Sequence, residues 1–169
     1  MIYQLLTLLA LSLTLAGCAT ADSTQKAGGG WLLDAPDDEA RFERLQDYLG
    51  GFSSAMWEVG ERFDHAYVAI QDENYSLAAY HWEKIADAVR NGYRKRPARQ
   101  ANADRMFLDS AWITLRDALA TTDRASIHSE WEIAREACMA CHVAEDVAYM
   151  NDQPLLRDRT FSPSPAQAD

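Results

Sequence analysis

The chain has 169 residues, of which 48% are hydrophobic and 25% charged, and this size suits a single folded domain with one core. Its 26 acidic residues outnumber its 16 lysines and arginines, and the resulting net charge of −10 has the wrong sign for binding nucleic-acid phosphates. The 5 tryptophans, together with only 8 glycines and 5 prolines, argue against a disordered or fibrous chain.

The first residues form an apolar run that predicts a signal peptide over residues 1–17. The run is too short for a membrane-spanning helix and ends in small residues. The segment from Leu15 to Cys18 resembles the lipobox of bacterial lipoproteins, in which the cysteine carries acyl chains after the signal is removed. The resemblance implies lipidation at Cys18 and a location at the periplasmic face of the envelope, with the outer membrane favoured because Ala19 is not Asp. Plain secretion with an unmodified Cys18 is the alternative.

Residues 18–37 are mostly small and polar, so we expect a flexible tether between the lipidated cysteine and the folded domain. A short amphipathic segment follows from Asp38 to Leu49 and ends at two glycines. Apolar residues then recur at helical spacing from Phe52 to Ile70, which predicts helix one.

Three further helical patterns follow in the chain. Asn74 is a candidate N-cap for helix two, which ends in a basic segment before Pro97. The third pattern runs without a break from Asn102 to Leu119, and Asp123 is a candidate N-cap for the fourth. The fourth carries one stripe of inward-facing residues: Ile127, Trp131, Ala134, Cys138, Cys141, His142 and Glu145.

Helical patterns of this length with short connections predict an all-α fold, an antiparallel four-helix bundle over residues 38–150. No segment shows the alternation of a strand. Two prolines lie among small residues near the C-terminus, so we expect residues 151–169 to form a disordered tail.

The chemistry of the chain is concentrated in the segment Cys138-Met139-Ala140-Cys141-His142, which has the C-x-x-C-H spacing of covalent haem c attachment. In that chemistry two thiols form thioethers with the porphyrin and the adjacent imidazole binds iron. On a helix, residues i, i+3 and i+4 share a face, so one short segment can hold the macrocycle and its iron ligand. The pattern predicts one covalent haem c on the C-terminal helix, with Cys138 and Cys141 as thioethers and His142 as the proximal ligand.

Other functions of two closely spaced cysteines fit less well. A zinc site needs about four ligands, and no second C-x-x-C or H-x-x-x-H pair is present. A thioredoxin-like C-x-x-C belongs in a βαβ setting, which an all-helical chain lacks. A disulfide within one helix would constrain almost nothing.

A haem motif near the C-terminus of an antiparallel four-helix bundle resembles the cytochrome c-prime superfamily. Segments 56–62, 74–80 and 94–97 are also similar to that family, and the resemblance covers roughly residues 38–150. It implies that helix one supplies the residue opposite the proximal histidine, and the residue in the matching place is Met56. Bundles of this family often dimerise through their first two helices, so a homodimer is a candidate assembly.

The role of Met56 separates two functions. As a sixth iron ligand it would favour one-electron transfer, whereas as core packing it would leave a five-coordinate haem that binds nitric oxide or carbon monoxide. Met150 is a second candidate ligand, and His65 and His81 are candidates for bis-histidine ligation, although surface or core positions suit them better.

The sequence therefore predicts a monohaem c-type cytochrome that carries electrons in the bacterial envelope. We expect no enzymatic activity, because no nucleophile with its base and no pair of carboxylates stands out. The acidic surface would suit a redox partner with a basic face, and the lipid anchor a membrane. A haem-containing subunit of an envelope complex is a third possibility.

Overall fold

The structure, a computed structural model, describes residues 30–157 and Phe161. All the regular elements in this part are helical, as predicted, and the long helices pack as a bundle. The predicted signal peptide, the lipidation site Cys18 and most of the predicted tail lie outside these residues. The helices in chain order are α1 (Asp38–Leu49), α2 (Phe52–Gln71), α3 (Tyr75–Lys95), α4 (Gln100–Ala103), α5 (Ala111–Thr121) and α6 (Arg124–Ala144).

The segment between α4 and α5 corrects the prediction of one continuous third helix. A π-helical turn over Asp104–Leu108 follows α4, and the chain then bends at Asp109 and Ser110 before α5 begins. The break keeps Leu108 and Trp112 on the buried side, so the apolar spacing is the same as that of an unbroken helix. No glycine or proline marks the break, which is why the sequence pattern did not reveal it.

The first two long helices, α2 and α3, form an antiparallel hairpin. Asn74 caps α3 through a hydrogen bond from the Leu77 N–H to its side-chain oxygen, as predicted. At the other end of the hairpin the helices approach closely at Gly92, where a Cβ atom would lie 3.0 Å from the Cβ of Ala55. Any larger residue at position 92 would push α2 away from α3.

The core is formed by the inner faces of α2, α3, α5 and α6. Its largest fully buried side chains are Ile70, Trp82, Ile85, Leu115, Ile127 and Trp131. Trp82 of α3 donates its indole N–H to the backbone oxygen of Trp112 at 2.9 Å, and Trp112 of α5 donates to that of Trp82 at 3.2 Å. Because an unpaired buried N–H or C=O is costly, this reciprocal pair fixes α3 against α5.

Helix α6 begins as the sequence predicts. Asp123 accepts a hydrogen bond from the N–H of Ala125 at 3.2 Å, and Thr122 before it adopts a left-handed conformation that turns the chain back from α5. Ile127, Trp131 and Ala134 of the predicted stripe are buried in the core. The inward orientation expected for the haem motif is therefore present in the half of α6 that precedes it.

The chain after α6 corrects the prediction of a disordered tail from residue 151. Residues 148–152 and 154–156 form 3₁₀ turns, and Leu156 is only 4% exposed. Residues 151–157 and Phe161, which we call the C-terminal strap, return along α6 and contact it at His142, Arg135 and His128. These contacts are each seven residues apart, or two helical turns. Pro154 begins the second of these 3₁₀ turns, so residues 151–157 are folded against α6.

The N-terminal segment likewise corrects part of the predicted tether. Residues 31–34 form a turn, and the Arg41 side chain of α1 donates to the backbone oxygen of Leu32 at 3.1 Å. The Trp31 ring lies 5.1 Å from that of Tyr48, and Ala35 is buried. Residues 30–37 are thus folded against α1 through these contacts with Arg41 and Tyr48.

Candidate functional site

The three residues of the haem motif lie on one face near the end of α6. At about 100° per residue, Cys138, Cys141 and His142 fall within an arc of about 100°. Cys138 points in the same direction as the buried Trp131, which precedes it by two turns, and packs against the core. The two thiols and the imidazole therefore project from one side of the helix, as the sequence predicts.

Both thiols of the motif are free and partly buried. Burial raises the pKa of Cys138 to about 12, with a smaller contribution from the neighbouring Cys141 thiol. Burial also raises the pKa of Cys141, reinforced by the Glu145 carboxylate and opposed by Arg99. Reactive C-x-x-C cysteines have lowered pKa values, so these protonated thiols do not resemble those of a disulfide oxidoreductase.

His142 is held by a residue beyond the predicted domain boundary. Its Nδ1 atom lies 2.8 Å from Oδ1 of Asn151, at the start of the C-terminal strap. The side-chain nitrogen of Asn151 donates in turn to the backbone oxygen of Met139 at 3.2 Å. The imidazole is thus oriented through its Nδ1 atom, and this leaves Nε2 as the nitrogen available to bind a metal.

A polar cluster lies on the same face of α6 as the motif, one turn beyond Cys141. Glu145, whose side chain is 15% exposed, pairs with Arg99 and accepts a hydrogen bond from Asn102 at 2.7 Å. The Arg99 guanidinium also lies 5.6 Å from the centre of the Phe52 ring. Arg99 therefore joins the first turn of α2 to the last turn of α6, so the two helices run in opposite directions.

The position of Met56 follows from the contacts between these two helices. The rings of Phe63 in α2 and Trp131 in α6 stack with centres 4.2 Å apart. Met56 lies two turns before Phe63 in α2, and Cys138 lies two turns after Trp131 in α6. Both are displaced from the stack towards the Arg99 end, and each lies on the same face of its helix as the aromatic residue. Met56 is partly buried against the core, as is Cys138. The register thus brings Met56 to the level of the haem motif.

The structure places the alternative ligands elsewhere or in other contacts. His65 and His81 lie together on α2 and α3, with ring centres 5.1 Å apart. His65 lies two to three turns after Met56, or ~14 Å along α2, and His81 lies beside it. Burial, His65 and the guanidinium of Arg62 lower the pKa of His81. Met150 lies in the turn after α6 on the His142 side.

Sequence reasoning missed the residues that support the motif. Asn151 fell in the predicted tail, and the pairing of Arg99 with Glu145 joins positions 46 residues apart. His128 is stacked on Phe161, another residue of the predicted tail, with ring centres 3.9 Å apart. No local pattern identifies such pairs, although the polar Asn151 among turn residues was a weak signal.

Within residues 30–157 and Phe161, no cluster of three or more His, Cys, Asp or Glu side chains could hold a metal ion. None of the helices in the same part of the chain combines the length and the apolar composition needed to cross a bilayer. Comparisons of the chain with protein-family models, with curated proteins and with solved structures find no match.

Proposed function

We propose that this chain is a monohaem c-type cytochrome that transfers electrons in the bacterial cell envelope. The observation that carries the proposal is the arrangement of Cys138, Cys141 and His142 on one face of α6, with Cys138 packed against the core and the imidazole of His142 held through Nδ1. This donor set fits haem c: two free thiols at i and i+3, and one imidazole at i+4.

Each residue has a distinct part in that function. Cys138 and Cys141 would hold the haem through thioether bonds, and His142 would bind its iron. When bound, the haem supplies an iron that gains and loses one electron. The partly buried setting of both thiols would exclude water from that side of the group, and the Arg99–Glu145 pair would close the end of the bundle next to Cys141.

Met56 decides which kind of haem protein this is. Its place at the level of Cys138 supports a role as sixth ligand, because a methionine opposite the histidine raises the potential and suits outer-sphere electron transfer. In the alternative, Met56 is packing and the five-coordinate iron binds nitric oxide or carbon monoxide. The two functions differ only in whether the sulfur reaches the iron.

The location and partners follow from the remaining sequence features. Lipidation at Cys18 would anchor the protein to the periplasmic face of the envelope, with the outer membrane favoured. The net charge of −10 suits a redox partner with a basic face, since complementary charge accelerates encounter. Two of the basic residues around Arg94 are paired with acidic ones, Arg90 with Asp87 and Arg99 with Glu145.

The deciding experiment is the visible spectrum of the full chain coexpressed with the cytochrome c maturation machinery. We expect covalent haem, a low-spin spectrum, and a sulfur-to-iron band that is lost in Met56→Ala but kept in the matched control Met150→Ala. A high-spin wild type that binds carbon monoxide directly would assign gas binding instead. The absence of covalent haem, with Cys138→Ser and Cys141→Ser behaving like the wild type, would refute both functions.

A further inference from the structure

Asn151 occupies a position between two groups of opposite hydrogen-bonding character. One neighbour is the backbone oxygen of Met139, which can only accept, at 3.2 Å from Nδ2. The other is Nδ1 of His142, at 2.8 Å from Oδ1. If the amide were rotated by half a turn, its oxygen would face the Met139 carbonyl and repulsion would result. The contact with Met139 therefore determines which end of the amide faces His142.

The orientation of the amide determines the protonation of the imidazole. Because the Asn151 oxygen can only accept, Nδ1 of His142 must carry the hydrogen that it donates. In the neutral ring the lone pair then lies on Nε2. Both partners of Asn151 belong to the last two turns of α6. The two hydrogen bonds of Asn151 therefore connect the imidazole to the backbone of its own helix through a residue of the strap.

We infer that Asn151 is a positioning residue that holds His142 in the Nδ1–H tautomer and tunes its strength as an iron ligand. The effect on iron binding rests on the proposed function, whereas the tautomer of His142 does not depend on it. An acceptor on the distal N–H of a histidine ligand raises the basicity of the ligating nitrogen. A more basic imidazole stabilises ferric over ferrous iron, so a stronger acceptor at position 151 lowers the reduction potential.

Two substitutions separate this role from general support of the strap. Asn151→Ala removes the acceptor and the donor together. Asn151→Asp keeps an acceptor for His142 and strengthens it with a charge, but loses the donor to Met139. A merely structural role would make both variants change the haem site in the same direction, whereas the positioning role predicts opposite changes in potential. Gln153→Ala, at an exposed position in the same region, is the matched control.

The first test is made on the full chain before haem loading, with circular dichroism to verify the fold of each variant. In a two-bond ¹⁵N–¹H spectrum at pH 8, we expect His142 in the Nδ1–H form in the wild type, in Gln153→Ala and in Asn151→Asp. The Nε2–H form should gain in Asn151→Ala. A wild-type His142 that is mainly in the Nε2–H form, or unchanged by Asn151→Ala, would overturn the inference.

The second test is the potential of the haem-loaded chain. Asn151→Ala should raise the potential and Asn151→Asp should lower it, each by a change of about tenfold in the equilibrium constant, or ~59 mV for one electron. Shifts of the same sign in both variants would overturn the tuning role. If the wild type acquires no covalent haem, the proposed function fails, and the tautomer measurement still decides whether Asn151 holds His142.

Discussion

Leu156 in the C-terminal strap tests most directly whether this segment belongs to the fold. The side chain is 4% exposed, and the neighbouring Leu155 lies against Gly60 of α2. Arg135 of α6 donates to the backbone oxygen of Leu156 at 3.0 Å, a contact that does not depend on the leucine side chain. Leu156→Ala therefore removes apolar packing and leaves the hydrogen bond in place.

The expected cost follows from this burial. Replacing a buried leucine by alanine destabilises proteins by about 2–5 kcal/mol, depending on how far the surroundings can close the cavity. The strap lies at the edge of the core and can move inward, so we expect a loss near the lower end, ~2 kcal/mol. For a chain of this length that loss corresponds to a melting temperature lower by about 4–8 °C.

The measurement is urea unfolding of the full chain, followed by circular dichroism. Leu156→Ala should lower the midpoint with little change in slope, and the exposed control Gln153→Ala should leave the midpoint unchanged. If the tail were disordered, both variants would have the same free energy of unfolding as the wild type, within about 0.5 kcal/mol. That result would refute the assignment of the strap to the core and remove the structural basis for Asn151.

Three further outcomes test the packing and the titration of the bundle. Trp82→Phe removes the buried hydrogen bond from the indole to the Trp112 carbonyl and should cost about 0.5–1.5 kcal/mol in urea unfolding. Gly92→Ala places a Cβ 3.0 Å from that of Ala55, and the overpacking cost of about 1–3 kcal/mol should exceed the helix-propensity gain of about 1 kcal/mol, so a stabilised variant would show that the helices can separate there. Burial lowers the pKa of His128 below 6.5, so its contribution to stability is present above pH 6.5 and lost as the pH falls through the folded pKa. His128→Gln should therefore flatten unfolding free energy against pH between 7.5 and 5, and an unchanged slope would contradict this.

Two predictions were wrong for the same reason: the continuous third helix and the disordered tail. The spacing of Leu108, Trp112 and Leu115 has the same period whether the chain continues or bends between α4 and α5, because both arrangements bury that face. The prolines near the C-terminus argue against a regular helix, yet a chain without a regular helix can still pack, as residues 154–156 do in a 3₁₀ turn. Periodicity reports which side chains are buried and not the path of the backbone between them.

Sequence alone accounts for the helical class, the capped starts of α3 and α6, and the common helix face of Cys138, Cys141 and His142. Each depends on residues within about one or two turns of each other, where the geometry of a helix leaves little choice. The level of Met56 relative to Cys138 and the hydrogen bond between Asn151 and His142 are visible only in the folded protein. These depend on the register between α2 and α6 and on the path of the strap. Both are set by packing between segments far apart in the chain, which no local spacing encodes.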